Sequence, residues 1–220
     1  MPVPSSSSAA CAPLPGPFPA EVRVSVLKRG PWFKADILRF QVDGGAVILK
    51  DFSSKSRLMR WFGRRQLRRE QRALQRLRGL EGFPKVLGVV PPCALLLEPM
   101  HGGAITRFRR RREEEKAPLL EKLEALVAAM HARGVAHLDL RKRDNILVTD
   151  SGEPSIIDFN ASVAFEPGSI ASRLFFPLLR SVDRGALLKW RQFLLPDRLS
   201  EREQRRIRRQ SRLRRLWIFS

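Results

Sequence analysis

Cysteine and long apolar runs are nearly missing from this chain. Its 220 residues include only Cys11 and Cys93, too few for a disulfide framework or a cysteine-rich zinc site. No run of eighteen apolar residues occurs, so the sequence predicts no transmembrane helix. Together with a hydrophobic content of 43%, these absences indicate a globular protein of a reducing compartment, and we expect a cytoplasmic location.

Acidic residues are also scarce, because 22 Asp and Glu stand against 42 Lys and Arg, for a formal net charge of +20. The excess is concentrated in residues 55–78, 107–112 and 200–220. A surface of this kind attracts polyanions such as nucleic acid, anionic lipid headgroups or phosphorylated glycolipid, and we expect such a partner. The alternative is that arginine-rich helices are simply solvated.

Residues 1–20 form a segment of unusual composition. Ser5–Ser8 and six prolines lie within residues 1–19, without the basic-then-apolar order of a signal peptide. This composition predicts a disordered tail that takes no part in the folded domain.

The most informative segment is 137–160, where polar residues flank a predicted β-hairpin. Ile146–Val148 and Ile156–Ile157 are short apolar runs, and the turn-forming residues 149–154 separate them. Because a hairpin returns the chain on itself, Asn145 and Asp158 at its ends should lie close together. Oxygen ligands at one end of a rigid hairpin suit a Mg²⁺ ion that carries phosphates. Solvated turn residues are the alternative interpretation.

A third polar side chain, Asp139, lies a few residues upstream in the same loop, where it could receive a proton from an attacking hydroxyl. The segment resembles the catalytic loop and metal-binding segment of the protein-kinase superfamily, through His137-Leu138-Asp139, Asn145 and Asp158-Phe159. The resemblance implies that Asp139 is the catalytic base and that Asn145 and Asp158 bind the metal.

The segment departs from the family pattern in two places. The spacing from Asp139 to Asn145 is six residues where the family has five, and Asn160 replaces the glycine of Asp-Phe-Gly. Arg141 stands two residues after Asp139, where Ser/Thr kinases carry a phosphate-contacting lysine. The resemblance therefore implies a catalytic role for Arg141 as well.

A buried ion pair is predicted upstream of this segment. On a helix over residues 58–78, Glu70 falls on the same apolar stripe as Leu67 and Leu74. An inward-facing carboxylate is unfavourable unless it is paired. Lys50, at the end of a predicted strand over 46–52, is the expected partner, as in the kinase Lys–Glu pair that orients the ATP phosphates. A bond to a neighbouring arginine is the alternative.

Other elements follow in the order that kinases show. A strand over 93–97 ends in Glu98-Pro99-Met100, which resembles the hinge that receives adenine on backbone groups, so the resemblance implies nucleotide contacts at Glu98 and Met100. Further strands are predicted over 22–27, 37–42 and 82–90, and helices over 117–133 and 183–193. Ser200 and Glu203 form a capping-box pattern that opens a basic last helix, expected to dock on the small lobe or to lie on a membrane surface.

Two features of protein kinases are absent. No Gly-x-Gly-x-x-Gly precedes Lys50, so we expect Lys28 or Arg29 to replace backbone amides with charge, and only 62 residues follow Asp158. The chain thus most resembles the bacterial lipopolysaccharide kinases (Kdo and core-heptose kinases) and the RIO-type kinases. This resemblance implies an α+β, protein-kinase-like two-lobe fold, with an N-lobe over 21–100 and a shortened, mostly helical C-lobe over 101–220.

The function implied by the resemblance is phosphoryl transfer from ATP, with Mg²⁺, to a hydroxyl. From the basic surface we expect the acceptor on a lipopolysaccharide-type or other anionic glycolipid, which would place the protein peripherally on the inner face of the plasma membrane. One alternative is a RIO-like protein serine/threonine kinase that acts near ribosomal RNA. Another is a catalytically silent kinase-fold protein that binds RNA, lipid or a protein partner.

Overall fold

A computed structural model of the chain describes residues 23–42, 45–205 and 207. The predicted tail over 1–20, residues 43–44 and most of the predicted basic last helix lie outside these described residues.

The small lobe is built on one antiparallel sheet. Its strands are β1 Arg23–Lys28, β2 Asp36–Val42, β3 Gly45–Asp51, β4 Val86–Val90 and β5 Ala94–Leu97. Their spatial order is β1-β2-β3-β5-β4, so β3 is central. Lys50 on β3 lies opposite Ile37 of β2 and Leu95 of β5, and its backbone is therefore fixed from both sides.

Helix α1, Arg57–Arg76, packs against this sheet. It begins at Ser56, whose hydroxyl accepts a hydrogen bond from the N–H of Met59 at 3.4 Å. Gly63 permits the close approach, because a Cβ at this position would lie 2.4 Å from Cγ of Phe52. The same buried face carries Glu70, which is thereby brought over the sheet.

The large lobe is dominated by α2, Glu113–Ala132, and α3, Ile170–Leu194. Helix α2 begins four residues before the predicted 117, with three glutamates in its first turn, where negative charge is favourable. The predicted helix over 183–193 was too short. Helix α3 begins at the Ser169 cap, whose hydroxyl accepts from the N–H of Ser172 at 3.1 Å, and it contains Pro177.

Short strands complete the large lobe. The predicted hairpin is present as β8 Ile146–Val148 and β9 Pro154–Ile156, and β6 Gly103–Ala104 pairs with β8. Strand β7 Val135–Ala136 pairs with β10 Val163–Ala164. One hydrophobic core runs through both lobes; its buried members include Phe52, Leu74, Leu95, Leu123, Met130, Ile146, Ile156, Phe159 and Trp190.

The predicted capping box is present at the start of the last helix. Residues 201–205 are helical, the hydroxyl of Ser200 accepts from the N–H of Glu203 at 3.3 Å, and Oε2 of Glu203 accepts from the N–H of Ser200 at 2.9 Å. Glu203 also pairs with Arg191 of α3 at 2.9 Å, so the described start of this helix docks on the large lobe rather than on the small lobe.

These elements define an α+β, protein-kinase-like two-lobe fold with a five-stranded small lobe and a shortened, mostly helical large lobe. The predicted fold class is confirmed. No helix in the described part of the chain is long and apolar enough to cross a membrane.

Candidate active site

A cavity of about 370 Å³ lies between the sheet and the β8–β9 hairpin. Its volume is in the range of small-molecule sites, at roughly 300–1,000 Å³. Apolar side chains form most of its wall: Leu27, Ile37, Ile48, Pro84, Leu97, Met100, Leu147 and Ile157. Charged and polar residues line the remainder: Lys28, Lys50, Glu98, Lys142, Asp144, Asn145 and Asp158.

Lys50 connects the two lobes at this cavity. Its Nζ lies 2.6 Å from Oε1 of Glu70 and 3.0 Å from Oδ1 of Asp158, so the predicted Lys50–Glu70 pair is present. Glu70 is fully buried, and its Oε1 also accepts the N–H of Phe159 at 3.2 Å. Burial lowers the pKa of Lys50, but the charges of Glu70 and Asp158 outweigh it and raise that pKa above its ordinary value. Lys50 is therefore a fixed cation.

Asp158 is held in place by cations on both carboxylate oxygens. Lys50 contacts Oδ1, while Nζ of Lys142 lies 3.2 Å from Oδ2. Asn160 donates its side-chain N–H to Oδ1 at 2.5 Å. Burial raises the pKa of Asp158, but Lys50 and Lys142 outweigh it and hold the pKa at about 2, so the carboxylate is ionised at neutral pH.

Asn145 and Asp139 face each other across the loop. The amide nitrogen of Asn145 donates to the backbone carbonyl of Asp139 at 3.0 Å and to its Oδ2 at 3.1 Å. The N–H of Ile157 donates to the carbonyl of Asn145 at 2.9 Å, which holds Asn145 beside the end of β9. The hairpin therefore brings Asn145 and Asp158 to the same cavity, as predicted, and Asn145 contacts Asp139, which does not itself line the cavity.

A buried acid on α3, Asp183, holds the backbone of the loop. It accepts the N–H of His137 on Oδ2 at 2.9 Å and the N–H of Leu138 on Oδ1 at 2.8 Å. Oδ2 also contacts Nε2 of His131 at 2.9 Å. His137 in turn contacts the carbonyl of Ile157 through Nε2 at 3.0 Å, which ties the loop to the residue after β9.

Two non-glycine residues of this site have left-handed backbone. Leu138 has φ of 67° and Asp158 has φ of 69°. Such a conformation is unfavourable by about 1–3 kcal/mol per residue, and it persists where surrounding contacts enforce it. Here Asp183 holds Leu138, and the two lysines hold Asp158. Strain of this kind concentrates at functional sites.

The structure separates Arg141 from Lys142. Lys142 lines the cavity and contacts Asp158, whereas Arg141 is not among the lining residues. The backbone carbonyl of Arg141 accepts from Nζ of Lys189 at 2.7 Å, and that of Leu140 accepts from Nε1 of Trp190 at 2.8 Å. The extra residue in the loop thus places Lys142, rather than Arg141, beside the predicted metal ligands.

The segment predicted to resemble a hinge lies at the apolar end of the cavity. Glu98 and Met100 both line it. The side chain of Glu98 pairs with Lys85 at 3.2 Å, and its N–H donates to the carbonyl of Lys85 at 2.9 Å. Because Pro99 has no N–H and that of Glu98 is bonded to Lys85, the backbone donor that these three residues can offer a ligand is the N–H of Met100.

The loop between β1 and β2 is not glycine-rich, and Asp36 holds it in place. Oδ1 of Asp36 accepts the N–H of Gly30 and Nζ of Lys55, each at 2.9 Å, and Lys55 also donates to the carbonyl of Gly30 at 2.9 Å. Ser54 donates to Oδ2 of Asp36 at 2.7 Å. Lys28, at the end of β1 ahead of this loop, is among the residues that line the cavity.

Several residues of this site were not predicted. Asp183 carries the same sequence signal that identified Glu70, namely a lone acid among apolar residues at helical spacing. For Asp183 these apolar residues are Leu179, Ala186 and Trp190. It was missed because the helix was expected to begin at 183. Lys142 had no signal of its own, since its place depends on how the extra loop residue is accommodated.

Mg²⁺ fits the residues present. Among residues 23–42, 45–205 and 207, no group of three or more His, Cys, Asp or Glu side chains would hold a metal alone. Mg²⁺ is commonly bound through one or two carboxylates together with substrate phosphates. Asp158 would supply an ionised carboxylate, and the Asn145 amide, whose nitrogen is turned toward Asp139, would supply its oxygen.

Comparison with known proteins supports a kinase-like chain. No protein-family model matches it. It is 31% identical over 144 residues to CBL-interacting protein kinase 25 of Oryza sativa subsp. japonica, which covers 60% of this chain and 28% of that protein. It is 29% identical over 168 residues to a probable SapB synthase of Streptomyces coelicolor, covering 60% of this chain and 18% of that protein.

A third relative, sperm motility kinase Z of Mus musculus, is 35% identical over 70 residues, which covers 32% of this chain and 14% of that protein. The chain thus spans less than a third of the length of these curated relatives. Two of these three relatives are named as kinases, and none of the three names points to lipopolysaccharide or RIO-type kinases.

Proposed function

We propose that this protein is a phosphotransferase that uses MgATP and an alcohol acceptor. The observation that carries the proposal is Lys50, which joins Glu70 of α1 to Asp158 at one end of the cavity, next to Asn145 and Asp139. Phosphoryl transfer requires mainly positioning and neutralisation of charge, and these residues supply both.

The nucleotide is proposed to occupy the cavity with its base at the apolar end. The carbonyl of Glu98 and the N–H of Met100 would bond the base there, and apolar side chains from the sheet and from the hairpin would cover its two faces. Lys50, Lys28 and Lys142 line the cavity as cations for the phosphates. Glu70 contributes by fixing Lys50.

Asn145 and Asp158 would hold Mg²⁺, which when bound neutralises phosphate charge as a Lewis acid. Asp139 is proposed to take the proton of the acceptor hydroxyl as the oxygen of that hydroxyl bonds to the γ-phosphorus and the bond to ADP breaks. The amide of Asn145 donates to Oδ2 of Asp139, so Oδ1 is the oxygen proposed to receive the proton of the acceptor hydroxyl. Lys142 is proposed to take the phosphate-contacting place that the sequence assigned to Arg141.

For the acceptor we propose a hydroxyl on an anionic glycolipid, with the protein in the cytoplasm and peripheral to the inner membrane face. Support comes from the net charge of +20 and from α1, whose only acid is the buried Glu70. A RIO-like protein kinase would use the same catalytic residues on a protein hydroxyl.

The first test separates an active enzyme from a silent kinase fold. We expect MgATP to raise the thermal unfolding temperature of the wild type and of Asp139→Asn, but to have little effect on Asp158→Ala. Asp150→Ala, an exposed acid at the hairpin turn, should respond like the wild type. Equal, null responses of wild type and Asp158→Ala would support the silent alternative.

The second test identifies the class of acceptor. The protein is incubated with radiolabelled ATP and separately with membrane lipids and with soluble protein from one lysate, and label transfer is measured in each fraction. Label in the lipid fraction that is lost in Asp139→Asn supports the glycolipid acceptor. Label confined to protein would support the RIO-like alternative.

A further inference from the structure

The N-terminal half of α3 carries an exposed apolar stripe. Ile170, Leu174, Leu178 and Val182 follow one another at intervals of four residues, with Phe175 beside them. Each of these five side chains is between 41% and 77% exposed. Residues at this spacing share one side of a helix, so they form a continuous exposed surface, and contiguous apolar surface marks an interaction site.

Cations border this stripe. The exposed Arg173 and Arg184 are eleven residues apart and share the adjoining side of α3, while the half-buried Arg180 between them packs over Phe176. No acid occurs between Glu166 and Asp183, and Asp183 is buried against the catalytic loop. A helix with leucine and phenylalanine on one side and arginine on the next has the pattern of helices that lie in a membrane interface.

Helix α3 contacts the catalytic loop through Asp183 and Trp190 on its buried side, and through the long side chain of Lys189 on the side that carries the stripe. Lys189 is seven residues beyond Val182 and eleven beyond Leu178, so all three face in similar directions. Nζ of Lys189 donates to the carbonyl of Arg141, two residues after Asp139. A surface that covered the stripe would therefore approach the catalytic loop.

We propose that the stripe of α3 docks on an anionic lipid bilayer and thereby presents the catalytic loop to a headgroup hydroxyl. The inference deepens the proposed function, on which it rests for the acceptor. Charge favours a bilayer over a second copy of the chain, because a two-fold contact through this surface would bring the arginines of both copies together without an acid from 167–182 to pair them. An anionic bilayer accepts both the apolar side chains and the arginines.

The test is co-sedimentation of the full chain with phosphatidylcholine vesicles, with or without phosphatidylglycerol, at physiological ionic strength. We expect binding to the anionic vesicles only. The double variant Leu174→Gln with Leu178→Gln should lose about tenfold or more of that binding, because two exposed leucines no longer enter the acyl region. The matched control is Leu87→Gln with Val89→Gln, two exposed apolar side chains of β4 in the small lobe, which should bind like the wild type.

Wild-type protein that fails to bind anionic vesicles would overturn the proposal, as would equal binding by wild type and the α3 variant or an equal loss in the control. A dimer that the α3 substitutions dissociate, with no vesicle binding, would assign the stripe to a second copy instead. Thermal shift with MgATP is measured on the same samples. Vesicle binding without a MgATP response would refute the proposed phosphotransferase but support the lipid-binding surface. A MgATP response without vesicle binding would support the phosphotransferase and refute the lipid-binding surface.

Discussion

The Nζ atom of Lys142 lies 3.2 Å from Oδ2 of Asp158, on the oxygen that Lys50 leaves free. Each carboxylate oxygen of Asp158, the proposed metal ligand, is therefore in contact with a lysine ammonium group. Lys50 is buried between two carboxylates, whereas the side chain of Lys142 is 32% exposed and has this acid as its partner. When Mg²⁺ and phosphates enter, Lys142 is thus the cation that can leave Asp158 and move to a phosphate oxygen.

Lys142→Met should lower kcat by about 100-fold, the order of magnitude for the loss of one preorganised charge at a transition state. Binding of MgATP should change much less, because Lys50 and the apolar wall remain. Steady-state kinetics and nucleotide titration measure the two effects. Arg143→Met, which removes an exposed arginine from the same turn, serves as the control and should keep near wild-type kcat. A similar loss in both variants would mean that loop charge in general, and not Lys142, supports turnover.

Glu70→Gln should destabilise the fold and slow the reaction together. The side chain of Gln can still accept from the N–H of Phe159, but the charge that balances Lys50 is lost. We expect the free energy of unfolding to fall by about 3 kcal/mol, near the lower end for a broken buried ion pair, because Asp158 still contacts Lys50. Urea denaturation measures this change. The exposed pair Lys122–Glu153 is the comparison, and Glu153→Gln should change stability by less than about 1 kcal/mol.

The local part of this site could be predicted from the sequence. The hairpin, the juxtaposition of Asn145 with Asp158, and the Lys50–Glu70 pair could all be predicted, because turn residues and helical spacing determine which side chains converge. The fold class followed from the order of these elements.

The long-range part could not be predicted in the same way. The start of α3 was missed by thirteen residues because its first half exposes its apolar side chains and contains Pro177, so that the usual amphipathic signal is inverted. Asp183 was missed with it. The position of Lys142 depends on the path of a loop that has one extra residue. Contacts from Lys189 and Trp190 of α3 determine that path.

Asp183→Asn should loosen the catalytic loop. The carboxylate accepts two backbone N–H groups and contacts His131, and an amide can accept with one oxygen only. We expect a loss of about 2–4 kcal/mol in the free energy of unfolding, since a buried N–H donor is left facing an NH₂ group. Below the unfolding transition, kcat should fall further than the folded fraction does, because Leu138 is no longer held in its left-handed conformation. Asp197→Asn, on an exposed turn, is the control.

The anchor of the β1–β2 loop should make stability depend on acid pH. Burial raises the pKa of Asp36, but hydrogen bonds from Lys55, Ser54 and the N–H of Gly30 outweigh it, so the folded pKa lies below the ordinary value of 3.8. Because the pKa of Asp36 is lower in the folded state than in the unfolded state, ionisation of this carboxyl stabilises the fold. The contribution is complete above the pKa of the unfolded state and is lost as the pH falls through the pKa of the folded state. Asp36→Asn removes this contribution. The variant should therefore be less stable than the wild type at neutral pH, and the difference should shrink below about pH 4. Urea denaturation across the acid range measures it, and a difference that stays constant with pH would show that the Asp36 carboxylate is not what holds the loop.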